Sequence, residues 1–443
     1  MFSETIVAIS TALSEQAISV IRISGDRARE ILSTLTSKDF SKIPTHTVKY
    51  GFIKDPHTHE TLDECLVFLM KAPRSYTKED VAEIHCHGGV YITRRILAAV
   101  LSTGARLARP GEFTQRAMLN GRIDLTQAEA IQDMIEADSP QSAAMAVQGI
   151  RGSLKRLIEP LMQELLGIIA NIEVNIDYPE YDDVEQLTRA MILPLCVQWE
   201  KKLETIVHDA YSGKQMKEGV KTVIIGKPNV GKSSLLNALL EEDKAIVTEI
   251  PGTTRDLVEG TIRLQNVTLH LIDTAGIRET FDFIEKIGIE KTMKALEEAE
   301  LILLVLDASR EIDTEDQTLL DLTDPQKRLV IYNKTDITSV DQGISVSAMK
   351  GEIDALIQAI NDRFADHQRV LATGALVNER TIGLASRSLD AMRSALTGLN
   401  EGIQLDLVAV DLQESFLRLS EILHPVDKDF LLNELFSRFC LGK

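Results

Sequence analysis

Cysteine is scarce in this chain. Its four cysteines, Cys65, Cys86, Cys196 and Cys440, are scattered and form no CxxC pair. That argues against a disulfide framework or a zinc ribbon and favours a reducing cytosol, so a cytoplasmic location is expected. Long apolar runs are missing as well: none approaches the ~20 residues needed to cross a bilayer, so no membrane span is expected. The opening "MFSETIVAIS" has neither a basic start nor a long apolar core and does not read as a signal peptide. Basic residues are outnumbered, 48 against 67 acidic, for a formal charge of −19. A chain this acidic does not coat nucleic acid non-specifically, because phosphate binding runs on Lys and Arg. Any RNA contact has to be local. The stretch with Arg94, Arg95, Arg106, Arg109, Arg116 and Arg122 is the candidate, against the plain alternative of a solvated basic face. Internal repeats and low-complexity tracts are absent.

With 443 residues, the chain has room for about three domains at roughly 150 residues each. Residues 1–118 alternate short β-rich runs ("TIVAIS", "ISVIRIS", "VKYGFI", "CLVFLM", "VAEIHCH") with helical text, including "VYITRRILAAVLSTG" stopped by Gly104. This predicts an α+β domain. Residues 119–215 read as helix. Asp124 and Gln127 have the spacing of a capping box, and Pro160 is expected to kink a helix or start a new one. From 216 to 376 the text changes to strand, glycine loop, helix and strand, and from 377 to 443 it is helical again. The simplest reading is an α/β and α multidomain chain: an N-terminal α+β domain, then a central helical domain interrupted by an inserted Ras-like P-loop G domain.

The strongest chemistry lies in "KTVIIGKPNVGKSSLLNALL". A buried strand runs into Gly226-x-x-x-x-Gly231-Lys232-Ser233, and a helix follows. This is a P-loop in its required context: glycines let backbone N–H groups of Asn229, Val230 and Gly231 close on phosphates at a helix N-terminus. Lys232 adds charge at the β/γ-phosphates, Ser233 can hold Mg²⁺, and Ser234 continues the cradle. "LHLIDTAG" supplies Asp273, Thr274, Ala275 and Gly276, with Asp273 an outer partner of Mg²⁺. "LVIYNKTD" supplies Asn333, Lys334, Thr335 and Asp336. The Asp336 carboxylate can accept from guanine N1–H and the 2-amino group, donors that adenine lacks. "SVSAMKG", with Ser347 and Ala348, has the position of a loop that meets guanine O6. Each segment alone could be a turn; four in register indicate GTP.

How GTP is cut is less routine. A Ras-like glutamine would follow the "DTAG" glycine, but Ile277 stands there. Asn229 and the segment Thr248, Glu249, Ile250, Pro251, Gly252, Thr253 and Thr254 resemble a cage for a monovalent cation, with Thr254 the switch threonine on Mg²⁺. Glu285 is the candidate for orienting water; its plain alternative is an exposed helix carboxylate.

"SYTKEDVAEIHCHGG", "RPGEFTQRAMLNGRIDLTQAEAIQD" and "FSRFCLGK", together with the GTPase segments, resemble the MnmE (TrmE) family of tRNA-modification GTPases over nearly the whole chain. The resemblance implies an N-terminal folate-binding-like domain that forms a homodimer. It implies a partner of the FAD-dependent MnmG/GidA family, in a heterotetramer or larger assembly. The product implied is a carboxymethylaminomethyl-type uridine at the wobble position of certain tRNAs. The cofactors implied are K⁺, Mg²⁺ and 5-formyl- or 5,10-methylene-tetrahydrofolate. It puts the potassium cage on Asn229, Thr248, Ile250 and Thr253, and assigns the water-orienting role to Glu285. Folate contacts fall on Arg22, Glu83, Arg122 (often Lys in the family) and Lys443. Glu83 can pair with pterin N–H groups, while the cations balance glutamate carboxylates; surface charge is the plain alternative for each.

The last residues then have a use. "SRFCLGK" has the spacing of a prenylation signal, but Lys443 suits that poorly. "DFLLNELFSRF" is apolar at helical spacing, so the end is expected to be held rather than frayed. Cys440 would lie beside the folate's reactive carbon, with a direct chemical role. Two other readings compete: a switch GTPase without covalent chemistry, as in ribosome assembly, and a membrane-associated GTPase. "HCH" at 85–87 alternates faces on a strand and is not a ready zinc site.

Overall fold

The computed structural model describes residues 4–137, 139–177, 189–241, 258–272, 295–338, 340, 343–365, 377–425, 435–436 and 442. They fall into two compact units, one made of 1–136, 149–156 and 417–443, the other of 137–148 and 157–416.

The first unit is built on a six-stranded sheet of order β3-β4-β5-β2-β1-β6. Its strands are β1 (Ile6–Ile9), β2 (Ile18–Ser24), β3 (Thr47–Lys54), β4 (Thr61–Met70), β5 (Val81–His87) and β6 (Arg106–Leu107). All neighbours are antiparallel except β1 and β6. Side chains alternate along each strand, so Ile21, Ile23, Val67, Leu69, Ala82 and Ile84 face one way. They pack with Ile31, Leu32 and Leu35 of helix Ala28–Thr36 and Ile96 and Val100 of helix Val90–Ser102. The opposite face carries Arg22, Glu83 and His85. Part of it is covered: Phe113, from helix Glu112–Leu119, packs on Ile6 and Ala8 of β1 with Ala108 and Tyr76.

A buried ionic network holds that helix down. Glu112 is wholly buried and accepts from Arg106 at 2.7 and 3.0 Å, from the Arg109 backbone N–H at 2.9 Å and from Arg116 at 3.0 Å. Arg116, itself fully buried, also donates to Glu79 at 3.1 and 3.2 Å, and Glu79 accepts from Ser24 of β2 at 2.7 Å. Within the candidate basic stretch, Arg106, Arg109 and Arg116 pair with Glu112 and Arg95 pairs with Glu60, while Arg94 is exposed. Periodicity does not distinguish a cation that folds under a helix from one that faces water.

Asp124 and Gln127 form the expected reciprocal cap on helix Leu125–Glu136, at 3.0 and 2.8 Å. Leu125 and Ala128 pack on Phe436, which also lies against Gly111. A Cβ on Gly111 would sit 2.8 Å from the Cβ of Phe436, and the residue has φ of 66°, so glycine is required there.

In the second unit, helices Arg189–Glu218 and Glu379–Glu401 pack together. The buried Trp199 indole donates to the Leu161 carbonyl at 2.8 Å, and the Ser388 and Ser415 hydroxyls each donate to the other's carbonyl at 2.8 Å. Pro160 neither ends a helix nor begins one: helix Ser153–Asp177 runs through it. Its side chain is exposed, so the carbonyl four residues back that loses its N–H partner lies on the solvent side.

The same unit holds a second six-stranded sheet, ordered β12-β11-β10-β7-β9-β8. The strands are β7 (Val220–Ile225), β8 (Val258–Arg263), β9 (Thr268–Ile272), β10 (Leu301–Asp307), β11 (Arg328–Asn333) and β12 (Ile344–Ser345). Only the β8–β9 pair is antiparallel. The continuous apolar run "LILLVL" of β10 is buried on both faces, as a central parallel strand requires. Ligands bind such sheets beyond the carboxyl ends of the strands, where Gly226, Asp307, Asn333 and Ser347 lie.

The Glu112 network predicts acid sensitivity. Burial alone would raise this carboxyl, but hydrogen bonds from Arg106, the Arg109 N–H and Arg116 lower it from 4.5 to about 2. A depressed carboxyl contributes stability above its unfolded value, and that contribution is lost as pH falls through the folded one. Unfolding titrations of the intact chain should therefore show loss of stability between pH 4.5 and about 2. In Glu112→Gln that dependence should flatten, with a penalty of about 3–5 kcal/mol at neutral pH from the stranded arginines.

Candidate functional site

The glycine loop at the end of β7 is shaped by backbone geometry. Gly226 has φ of 154°, and a Cβ there would lie 2.4 Å from the Val305 carbonyl oxygen of β10. Asn229 and Gly231 have positive φ, 62° and 96°. Lys232 opens helix Lys232–Glu241. Its ammonium donates back to the carbonyls of Gly226 and Lys227, both at 2.8 Å, and burial lowers its pKa. A cation thus lies against the loop at the start of a helix, an arrangement that suits a phosphate chain. Ser233 is exposed in the first turn and Ser234 half-buried beside it. The side chain of Asn229 is exposed.

Asn333 joins three loops. It is buried; its amide donates to the Val230 carbonyl at 2.8 Å, and its oxygen accepts from the Ala348 N–H at 3.0 Å. A Cβ on Gly231 would fall 2.2 Å from the same amide nitrogen, so glycine lets Asn333 approach. Asp336 accepts from the Ser347 hydroxyl at 3.0 Å, and the Thr335 N–H donates to Val346 at 3.2 Å. The glycine loop and the "NKTD" and "SVSAMKG" segments are therefore brought together, as the motif order predicts. Asp336 itself is exposed, leaving its carboxylate accessible.

Lys334 pairs with Asp307 at 2.6 Å. Although burial opposes it, hydrogen bonding from Lys334 and Ser309 lowers Asp307 to about 2. Asp307 was not singled out from the sequence. Its signal is there: "LILLVLD" is an apolar strand ending in Asp, the layout of "LHLID". Lys227, within the loop, is likewise tied to Asp313 and Glu315 at 2.5 and 2.8 Å. Thr248, Glu249, Ile250, Pro251, Gly252, Thr253, Thr254, Asp273, Thr274, Ala275, Gly276 and Glu285 lie outside the described residues, as do Cys440 and Lys443.

In the first unit, two residues of the expected folate set meet. Arg22 and Glu83 are cross-strand partners, and their side chains pair at 2.8 Å. The Phe113 ring flanks the Arg22 guanidinium at 5.8 Å. His85, two residues along the same strand, contacts Glu83 at 3.2 Å and stacks on Phe68, with centroids 4.3 Å apart. The carbonyl of Gly442 accepts from Arg22 at 3.1 Å and from the Ser10 hydroxyl at 3.2 Å. Gly442 has φ of 92°, and a Cβ on it would lie 2.6 Å from the Ile9 carbonyl oxygen, so no other residue fits that seat. Gly442 is thus held, not frayed. Arg122 does not join the Arg22–Glu83 pair directly; it stacks over Tyr76 at 4.7 Å from the ring centre, and Tyr76 packs on the Phe113 cluster. In "HCH", His85 and His87 face away from the buried Cys86, and His87 bonds Asp63 at 2.7 Å.

Comparison with known proteins identifies the family. Residues 5–122 match the family profile described as the GTP-binding protein TrmE N-terminus, and residues 125–440 match the MnmE helical domain. The chain is 46% identical to the tRNA modification GTPase MnmE of Ligilactobacillus salivarius (strain UCC118), over 99% of this chain and 98% of that protein. It is equally similar, at 46% over 99% and 98%, to that of Streptococcus agalactiae serotype III (strain NEM316). The chain belongs to the MnmE family of tRNA modification GTPases.

Proposed function

We propose that this chain is a potassium-dependent GTPase. With an FAD-dependent partner of the MnmG/GidA family, it converts the wobble uridine of certain tRNAs to a carboxymethylaminomethyl-type uridine, using a one-carbon unit from tetrahydrofolate. The single observation that carries the folate reading is the Arg22–Glu83 pair closed by the Gly442 carbonyl. A switch protein has no need to bring residue 442 onto an ion pair in the first sheet. Glu83 offers a carboxylate for the pterin's amino and ring N–H groups. Arg22 and Arg122, with Lys443, supply positive charge for the glutamate carboxylates. Bound tetrahydrofolate would supply carbon at the one-carbon level. Cys440, two residues before Gly442, is the proposed nucleophile beside it.

GTP is proposed to bind with its phosphates on the 226–232 loop and its base between Asp336 and Ala348. Mg²⁺ would be held by Ser233 and Thr254. K⁺ would be held by Asn229, Thr248, Ile250 and Thr253, where it would offset transition-state charge, a task that an arginine finger performs in other GTPases. Glu285 would orient the attacking water. The three-domain division at about residues 118, 215 and 376 is part of the same proposal.

A homodimer through the first domain is supported by an apolar sheet face. Val48, Tyr50 and Phe52 of β3 and Leu66 of β4 are exposed and lie side by side on the face away from helices Ala28–Thr36 and Val90–Ser102. A patch of this kind marks an interaction surface. A dimer would bring together two copies of a sheet whose centre carries Arg22 and Glu83.

Two outcomes are expected. GTP hydrolysis by the intact chain should be much faster in KCl than in NaCl at equal ionic strength; equal rates would contradict the alkali-ion cage. Cys440→Ser should abolish wobble-uridine modification in a reconstituted assay while GTP hydrolysis persists. Modification at the full rate would remove Cys440 from the chemistry.

A further inference from the structure

Most arginines of the first unit are occupied. Arg22, Arg29, Arg95, Arg106, Arg109 and Arg116 each pair with a carboxylate. Arg74, Lys78 and Arg122 do not, among the described residues. All three line one open depression of about 480 Å³, with His46, Met70 and Tyr76. In a chain of net charge −19, three cations converging without a counter-charge form a local exception. Arg74 is exposed, while Lys78 and Arg122 are positioned by neutral contacts. The Lys78 ammonium donates to the Gly121 carbonyl at 2.8 Å, next to Arg122, and keeps its other protons free. Arg122 lies with its guanidinium over the Tyr76 ring, and stacking on a face leaves N–H edges for acceptors.

Tyr76, on one side of the depression, links it through Phe113 to Arg22. Met70 also belongs here: it follows Leu66 and Phe68 on the same face of β4. On the folate reading above, on which this inference rests, a single glutamate brings two carboxylates, and Arg22, Arg122 and Lys443 suffice for them. Arg74 and Lys78 are then surplus. They match a ligand with further carboxylates spaced along a flexible chain.

We propose that this depression binds the polyglutamate tail of tetrahydrofolate, so that the protein selects folates carrying several γ-linked glutamates. Arg122 takes the first glutamate, and Arg74 and Lys78 take those that follow. A short tail of carboxylates matches three cations gathered at one depression. An RNA backbone would call for cations continuing along a groove, and Arg106, Arg109 and Arg116 are already committed to Glu112.

The test is calorimetric titration of the intact protein with 5-formyl-tetrahydrofolate bearing one or three glutamates. Partly exposed ion pairs give roughly two- to fivefold in affinity each. The triglutamate should therefore bind about tenfold more tightly at low salt, a gain that shrinks as screening grows. In the double variant Arg74→Ala, Lys78→Ala the gain should vanish while monoglutamate affinity is unchanged. Equal affinity for the two folates in the unaltered protein overturns the proposal and leaves the folate reading standing. A gain that survives in the variant overturns it too, and if the variant then binds tRNA more weakly, the depression is an RNA contact. Failure of both folates to bind overturns the proposal together with the folate reading.

Discussion

The first unit depends on one buried carboxylate. Glu112 has no access to water, and an unpaired charge there would cost several kcal/mol. It is tolerated because Arg106, the Arg109 N–H and Arg116 converge on it, and because Arg116 passes the connection on through Glu79 to Ser24 of β2. The consequence is positional. Helix Glu112–Leu119 is fixed across the sheet, and Phe113 is set beside Arg22. Gly111, just before that helix, leaves room for Phe436. A segment from late in the chain can then pack on Leu125 and Ala128, and Gly442 can reach Arg22. Removing the charge from Glu112 would loosen each of these in turn.

A neutral hydrogen-bonding group plays the matching part in the second unit. The Asn333 carboxamide, buried at the end of β11, spans from Val230 to Ala348. It needs both a donor and an acceptor, which a carboxylate or an ammonium cannot supply together. The glycine loop after β7 and the loop around Ala348 are thereby registered to a single side chain. The glycine at 231 is as much a requirement of Asn333 as of any phosphate.

Much of this was legible in the sequence, for reasons that differ by element. The five longer strands of the first sheet read as short β-rich runs, and the P-loop, "NKTD" and "SVSAMKG" segments carry their meaning in a few residues each. Asp124 and Gln127 announce their cap by spacing alone. What was not legible depended on partners distant in sequence. β6 is two residues long and exists only because Arg106 and Leu107 pair with Ile6 and Val7. Arg116 looks like a surface cation until Glu79 and Glu112 are seen around it. Pro160 breaks a rule of helix interiors because its side faces solvent. Arg74 and Lys78 have no motif; only the fold brings them to Arg122.

The central claim is that the sheet face bearing Arg22 and Glu83 is a seat for folate. Equilibrium binding of 5-formyl-tetrahydrofolate to the intact protein and to Arg22→Met tests it most directly, with GTP binding measured in parallel as a control on folding. The account predicts saturable folate binding that is lost in the variant while GTP binding is retained. Folate binding of undiminished affinity in Arg22→Met would contradict it.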